Sequence, residues 1–359
     1  MLQYTIGRSI YGLLVLLGVI SLIFFLFHIV PGDPARMMLG QMGDQKAMEA
    51  IKKDIGADLP IGLQYIKYLN DLSPLSIHEE IQEDQFLYLE KNTYDYHTLS
   101  RFNSKVVVLK WPYLRRSYQS QKKVVNILAE ALPATLVLTA AAIGFAFLIG
   151  VFLGIVAALN QNSFVDRSLL VIATIGMSGP SFFIAILISW FFGFVLADYT
   201  GLNMTGSLME IDDYGRGSYI DISNLILPAI TLGIRPLSVV MQLMRNSLLD
   251  VMDQDYIRSA RAKGLSEWAV IGRHAIRNSL NPVITAASGW FAGMLAGAVF
   301  VEMIFAWKGI GWTIFRALEQ YDLPVVMGSV IVISSIFVLI NILVDILYTF
   351  LDPRVKLQN

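Results

Sequence analysis

Six stretches of this chain are apolar for about 20 residues or more and carry almost no charge: about Ile10–Val30, Ala134–Leu159, Ser168–Ala197, Leu225–Met244, Val283–Phe305 and Pro324–Phe350. A helix rises 1.5 Å per residue, so about 20 such residues match the hydrocarbon thickness of a bilayer. With 55% hydrophobic and 15% charged residues over 359 positions, the chain cannot be a soluble domain with one large core. The predicted class is all-α integral membrane with six transmembrane helices. The first run is too long for the core of a cleaved signal peptide, so it is expected to remain as a span with the amino terminus inside. There is no cysteine, which excludes disulfides and thiolate metal ligands. His28, His78, His97 and His274 are far apart, so no metal site is expected.

Between the first two runs, Ala35–Lys123 is polar and balanced in charge, and is read as extracytoplasmic. Helical spacing is predicted from Asp44 to Gly56 and again after Pro60, at Leu63, Ile66 and Leu69. Phe86–Leu89 and Val106–Leu109 read as short strands. The result is a small α or α+β insertion between helices 1 and 2, distinctive over about 75–110. Val124, Ile127, Leu128 and Ala131 fall at i, i+3, i+4 and i+7, which predicts an amphipathic helix lying at the outer surface ahead of the second span. In domain terms, 1–34 is the first helix, 35–123 the extracytoplasmic domain and 124–359 a five-helix core containing a loop at 249–281. Gly144, Gly150 and Gly154 in the second span permit close helix packing, and so do Gly289, Gly293 and Gly297 in the fifth.

The fourth and fifth spans are joined by Tyr256–Pro282, in which Arg258, Arg261, Lys263, Arg273 and Arg277 accompany a single carboxylate, Glu267. A short loop this basic stays cytoplasmic. A first helix is predicted from about Asp255 to Lys263, ended by Gly264 in the left-handed conformation, and a second short helix capped by Ser266. Such a pair of helices between two spans forms a surface on which something outside the membrane can push. Pairing of the same basic residues with lipid phosphates is the alternative.

Ala260-Arg261-Ala262-Lys263-Gly264-Leu265, then Arg273-His274-Ala275 and Pro282, resembles the coupling loop of ABC importer permeases, of the oligopeptide/dipeptide/nickel branch. Val30–Ala35, Arg116-Ser117-Tyr118, Leu132–Thr135, Glu302, Phe305, Gly309–Gly311, Asn341, Asp345 and Leu351–Arg354 are similar to the same family in order and spacing. Arg258 stands where the wider superfamily has a glutamate, and Lys308 where this branch has a proline. The resemblance implies the type I permease fold and an ATP-driven import path for peptides or a related small solute. It also implies a second homologous permease, two ATPase subunits carrying ATP and Mg, and an extracytoplasmic substrate-binding protein. The chain would then be a multi-pass subunit of the bacterial cytoplasmic membrane with both termini inside. It would bind no cofactor and no nucleic acid. Tyr256, Arg258, Ala260, Arg261, Ala262, Lys263, Gly264, Leu265, Ser266 and Glu267 would face the ATPases.

No G-x-x-x-x-G-K-[ST] loop is present, so ATP hydrolysis would belong to separate chains. Gly176-Met177-Ser178-Gly179 has the look of a serine-protease elbow, but the only later histidine, His274, lies in the basic loop and not on a span, and no catalytic residue is expected. Gly179-Pro180 marks a helix break, either in the wall of a translocation path or as a packing kink. Ser178, Pro180, Arg235, Gly293 and Asn341 are the path candidates. Arg235 would meet a substrate carboxylate, or pair with Asp345, Glu302 or a carbonyl. Asn341 and Asp345 share one helical face and suit helix–helix hydrogen bonding. Nearly charge-free spans disfavour the alternative of a nucleotide-independent secondary carrier or channel.

Overall fold

The structure is a computed structural model, and it describes residues 2–29, 59–80, 87–89, 94–212 and 217–351. Helices dominate: α1 (Leu2–Ile29), α2 (Ile61–Leu72), α3 (Val124–Leu159), α4 (Phe164–Ser178), α5 (Ser181–Trp190), α6 (Ala197–Thr200), α7 (Ser223–Met252), α8 (Asp255–Ala262), α9 (Glu267–Ala269), α10 (Ile276–Ile304), α11 (Ile310–Glu319) and α12 (Leu323–Leu351). Strands β1 (Leu75–Glu79), β2 (Tyr96–Phe102) and β3 (Lys105–Lys110) form one sheet, and β4 (Met209–Ile211) pairs with β5 (Ser218–Ile220). Among the described residues, four single helices are long and apolar enough to cross a membrane, and the number is six if each of two bent pairs counts as one span. The expected helix at 44–56, Phe86 and the tail from Asp352 lie outside the described residues.

The chain forms two compact units. One comprises Met1–Leu13, Ala131–Phe315 and Ile333–Asn359; the other comprises Leu14–Glu130 and Arg316–Val332. In the first, α7 and α10 pack along each other. One buried cluster joins Leu138, Leu227, Met294, Val301, Phe305 and Trp307, and another joins Val240, Met244, Leu248, Ile257, Val270 and Val283. Gly150 and Gly154 bring α3 onto α7: a Cβ there would lie 2.9 Å from the Leu237 carbonyl oxygen and 2.7 Å from that of Met241. Gly289 and Gly293 behave differently, because a Cβ on either would meet nothing within 4 Å. The glycine face expected on the fifth span therefore packs on nothing in this chain among the described residues. The close approach belongs to α3 and α7.

In the second unit, β1 and β2 both pair antiparallel with the central β3. Val106 and Val108 point inward with Leu89, at the place where the valine run predicts a strand. The predicted strand at 86–89 is reduced to one bridge between Glu79 and Tyr88. Beneath the sheet lies a polar interior. Asp71 accepts a hydrogen bond from Tyr94 Oη at 2.8 Å, Lys110 Nζ donates to the Asp71 carbonyl at 2.5 Å, and Arg115 is 3.8 Å from the Asp71 carboxylate. Burial raises the Asp71 carboxyl above the usual carboxylate range and lowers the Lys110 ammonium to about 8. Asp322, just ahead of α12, accepts from Ser117 Oγ and, at 3.0 Å, from Tyr118 N.

Two expectations are corrected, and one break is observed where it was expected. The amphipathic lead-in at 124–131 is not a separate helix: α3 runs unbroken from Val124 through Pro133 to Leu159, with Val124, Leu128 and Ala131 of the stripe buried. The third span is interrupted at Gly179-Pro180: its two halves, 164–178 and 181–195, meet there at 110°, because Pro180 cannot extend α4 and instead starts α5. The second loop helix is not short and separate. It runs from Glu267 through a wide π turn at Val270–Ala275 into α10, since Val270, Ala275 and Val283 share one buried cluster and keep the apolar stripe in phase. A further bend of 56° falls near 296–297. Helix α11, in the turn between the last two spans, had no forecast.

Candidate functional site: a capped loop and a broken helix

The loop between α7 and α10 is anchored by its apolar residues. On α8, Ile257 is fully buried and Ala260 nearly so, one turn apart, against the cluster that includes Leu248 and Val270. The intervening residues point outward: Arg258, Ser259, Arg261 and Ala262 are exposed, as are Lys263, Gly264, Leu265, Ser266 and Glu267 beyond them. The helix ends as the glycine predicts. Gly264 sits at φ +79°, its N–H bonds the Arg261 carbonyl at 2.9 Å, and Leu265 N–H reaches the Ala260 carbonyl at 3.4 Å. Both bonds of a Schellman stop are therefore present. Ser266 then caps the next helix, its Oγ accepting from Ala269 N.

The charges of the loop partly pair. Arg261 grips Glu267 with two donors, Nε to Oε1 at 2.9 Å and Nη2 to Oε2 at 3.3 Å, across the turn made by Gly264. Arg258 approaches the exposed Asp255, at 3.6 Å. Tyr256 Oη accepts from Asn278 Nδ2 at 3.0 Å, which ties the start of α8 to α10. Sequence reasoning passed over Trp268, which is 83% exposed beside Leu265. Its signal was present: an indole one residue after Glu267 falls outside the phase of the buried Ile257, Ala260 and Val270.

The break at Gly179-Pro180 gathers three of the five path candidates. Arg235 Nη2 donates to the Gly179 carbonyl at 3.0 Å, a carbonyl being one of the partners considered for it. Ser178 Oγ returns to the Thr174 carbonyl on its own helix, and Pro180 is exposed. Gly293 faces open space, and Asn341 bonds the Phe337 carbonyl on α12 instead of another helix. Asp345 does reach another helix, 3.2 Å from Arg8 of α1. Glu302 is fully buried and binds Thr135 of α3, not Arg235.

Two cavities flank these elements within the first unit. An apolar groove of about 440 Å³ lies between α3, α10 and α12, lined by Ile143, Phe147, Ala287, Phe291 and Ile340. A polar cavity of about 420 Å³ is lined by Asn203, Glu210, Asp221, Asn224 and Lys308.

The family described as binding-protein-dependent transport system inner membrane component matches residues 150–357, and its N-terminal companion matches residues 1–139. The chain is 34% identical to a dipeptide transport system permease protein of Alkalihalophilus pseudofirmus, over 99% of this chain and all of that protein. It is 31% identical to a di/tripeptide transport system permease protein of Pseudomonas aeruginosa, over 95% of each. Among solved structures, an inward-facing MetNI methionine ABC transporter superposes with a TM-score of 0.51 at 18% identity, covering 64% of this chain and 97% of that one. The match extends over nearly the whole chain, and this chain belongs to the binding-protein-dependent transport system inner membrane components, the multi-pass permease subunits of ABC importers.

Proposed function

We propose that this permease carries peptides across the bacterial inner membrane, with both termini and the Tyr256–Pro282 loop on the cytoplasmic side. The reading for peptides rests on the names of the relatives at 31–34% identity. The reading for the loop rests on one observation: α8 is fastened to α7 and α10 by Ile257 and Ala260, while Arg258, Lys263, Leu265 and Trp268 are left exposed. A surface that is both rigidly tied to two spans and unpartnered outward suits transmission of force. Two ATPase subunits, which bind the ATP and Mg, dock there, with Tyr256–Glu267 as the contact. This chain hydrolyses nothing itself.

A second homologous permease completes the path, and the solute crosses between the two. Ser178, Pro180 and Arg235, gathered at the helix break, line it together with Gly293 and Asn341. The substrate-binding protein delivers at the opposite face, over Ala35–Lys123 and Asp198–Asn224, the latter of which lines the polar cavity. ATP drives the cycle by binding one of two states more tightly.

The test is Gly264→Val in the reconstituted importer. A β-branched residue at φ +79° strains the turn whatever the space around it. Membrane insertion should be retained, while transport-coupled ATP hydrolysis falls severalfold. Unchanged coupling, or uptake by the purified chain without nucleotide, overturns the reading.

A further inference from the structure

Helix α4 is tied to α7 at both ends. At its start, Arg245 of α7 forks onto Asp166, with Nε 2.6 Å from Oδ1 and Nη2 2.7 Å from Oδ2. The pair is sheltered: the Asp166 side chain is 1% exposed and that of Arg245 14%. Asp166 is itself held in place, since Asn162 N donates to its Oδ2 at 2.9 Å and its own N–H bonds the Ser163 cap. At the other end of α4, Arg235 of α7 takes the Gly179 carbonyl at 3.0 Å. Between the two ties a Cβ on Gly176 would stand 3.0 Å from the Ile234 side chain and 3.1 Å from the Ser238 hydroxyl, so α4 packs directly on α7 side chains there.

The ties lie on either side of two mechanical landmarks. Arg245 is two turns before the end of α7, which leads within two residues into α8 of the loop. Gly179 is the residue at which α4 ends and the chain turns through 110° into α5. Across that corner no continuous helical hydrogen-bond ladder runs, because Phe183 N and Ile184 N both return to the Pro180 carbonyl. The corner is therefore a joint, and α4 is a continuous helix leading to it. A bidentate guanidinium–carboxylate contact fixes orientation as well as distance, which a single point charge does not.

We propose that the Asp166–Arg245 fork makes α4 and α7 one lever, through which displacement of the loop reaches the joint at Gly179-Pro180 and swings α5. Asp166 and Arg245 are positioning residues: they touch neither the solute nor the ATPases. This inference rests on the docking role proposed for the loop.

The experiment uses the reconstituted importer, complete with ATPases and binding protein, with Asp166→Asn, Arg245→Lys and the exchanged pair Asp166→Arg with Arg245→Asp. This chain contains no cysteine, so spin labels placed in it at the exposed positions Ile172 on α4 and Ile186 on α5 report on the joint. In the unaltered complex, ATP should change the distance between the labels. In Asp166→Asn the ATPases should stay bound and hydrolyse at the basal rate, while solute moved per ATP falls at least tenfold and the ATP-dependent distance change is lost. Arg245→Lys, which keeps the charge and loses the fork, should fall in between, and the exchanged pair should recover part of both readouts. An Asp166→Asn complex that transports within twofold of the original with an unaltered distance change overturns the lever. ATPases that remain bound and coupled in Gly264→Val overturn instead the docking role beneath it, and the two failures are thereby distinguished. Should Asp166→Asn fail to assemble, failure of the exchanged pair to recover any coupling in a folded complex overturns the lever.

Discussion

Thr135 and Glu302, 167 residues apart, form the central link between α3 and α10: Thr135 Oγ1 donates to Glu302 Oε1 at 2.7 Å. The hydroxyl also accepts from Ile310 N at 2.8 Å, and the second carboxylate oxygen accepts from Trp312 N at 3.1 Å. Helix α11 thus begins on a buried side-chain carboxylate and a hydroxyl in place of an ordinary cap. Trp307, fully buried, adds a bond from Nε1 to the Ala134 carbonyl at 3.0 Å. Thr135→Val keeps the shape and removes both roles of the hydroxyl. It should lower stability by about 2–3 kcal/mol, because a buried N–H and a buried carboxylate each lose a partner. Thr135→Ser should cost under about 1 kcal/mol. Melting of the purified chain in detergent checks both, and equal losses for the two would show that the methyl group matters as much as the hydroxyl.

Glycines of similar appearance should respond in opposite ways. A Cβ on Gly311 would sit 2.5 Å from the Val299 backbone, which cannot move aside, whereas a Cβ on Gly289 meets nothing within 4 Å. Gly311→Ala should therefore destabilise by about 2 kcal/mol or more through overpacking. Gly289→Ala, in a helix, should be neutral or stabilise by up to about 1 kcal/mol. A thermal shift that ranks them the other way would contradict the packing of α10 described above. Loss of transport in Gly289→Ala with stability intact would indicate that a partner chain packs there.

The sheet unit should weaken in acid. His78 is 1% exposed, with Ser76 Oγ 3.0 Å from its Nε2 and the Tyr94 ring alongside. Burial, and after it the charge of Lys110, lowers its pKa from 6.5 to about 4. Between those values the unfolded chain holds more protons than the folded one, so stability is full above pH 6.5 and declines as pH falls toward 4. The decline from this one group is about 3 kcal/mol. His78→Gln should flatten the acid side of the melting-temperature profile, and an unchanged slope would remove His78 as its source.

Arg261→Ala should separate docking from folding. The Arg261–Glu267 fork is exposed on both sides, at 38% and 61%, so solvent screens it and its loss should change stability by under about 1 kcal/mol. Binding of the ATPase subunits to the purified permease should weaken several times more than that stability change implies. Unaltered binding would remove Arg261 from the contact.

Much of this protein was legible from local chemistry. The apolar runs appear as helices, the third as two broken at Gly179-Pro180, because a helix satisfies its own backbone hydrogen bonds where no water is present. Gly264 and Ser266 end and begin helices as their types dictate, since the left-handed turn and the side-chain cap are settled within a few residues. The valines at 106–108 form a strand for a comparable reason. Trp268 could have been found by asking which loop aromatic falls outside the buried phase.

What the tertiary structure alone decided concerns partners far apart in the chain. That Arg235 chooses the Gly179 carbonyl, that Asp166 is held by Arg245, and that Glu302 reads Thr135 and starts α11 all depend on which helices lie side by side. The angle at Gly179-Pro180 belongs to the same class: proline guarantees a break, and the packing of α4 and α5 against their neighbours sets the 110°. Backbone propensity acts over a handful of residues, whereas a buried polar group takes whatever donor the assembled helices bring within 3 Å. For that reason the partners of the residues named from motif alone emerged only in three dimensions.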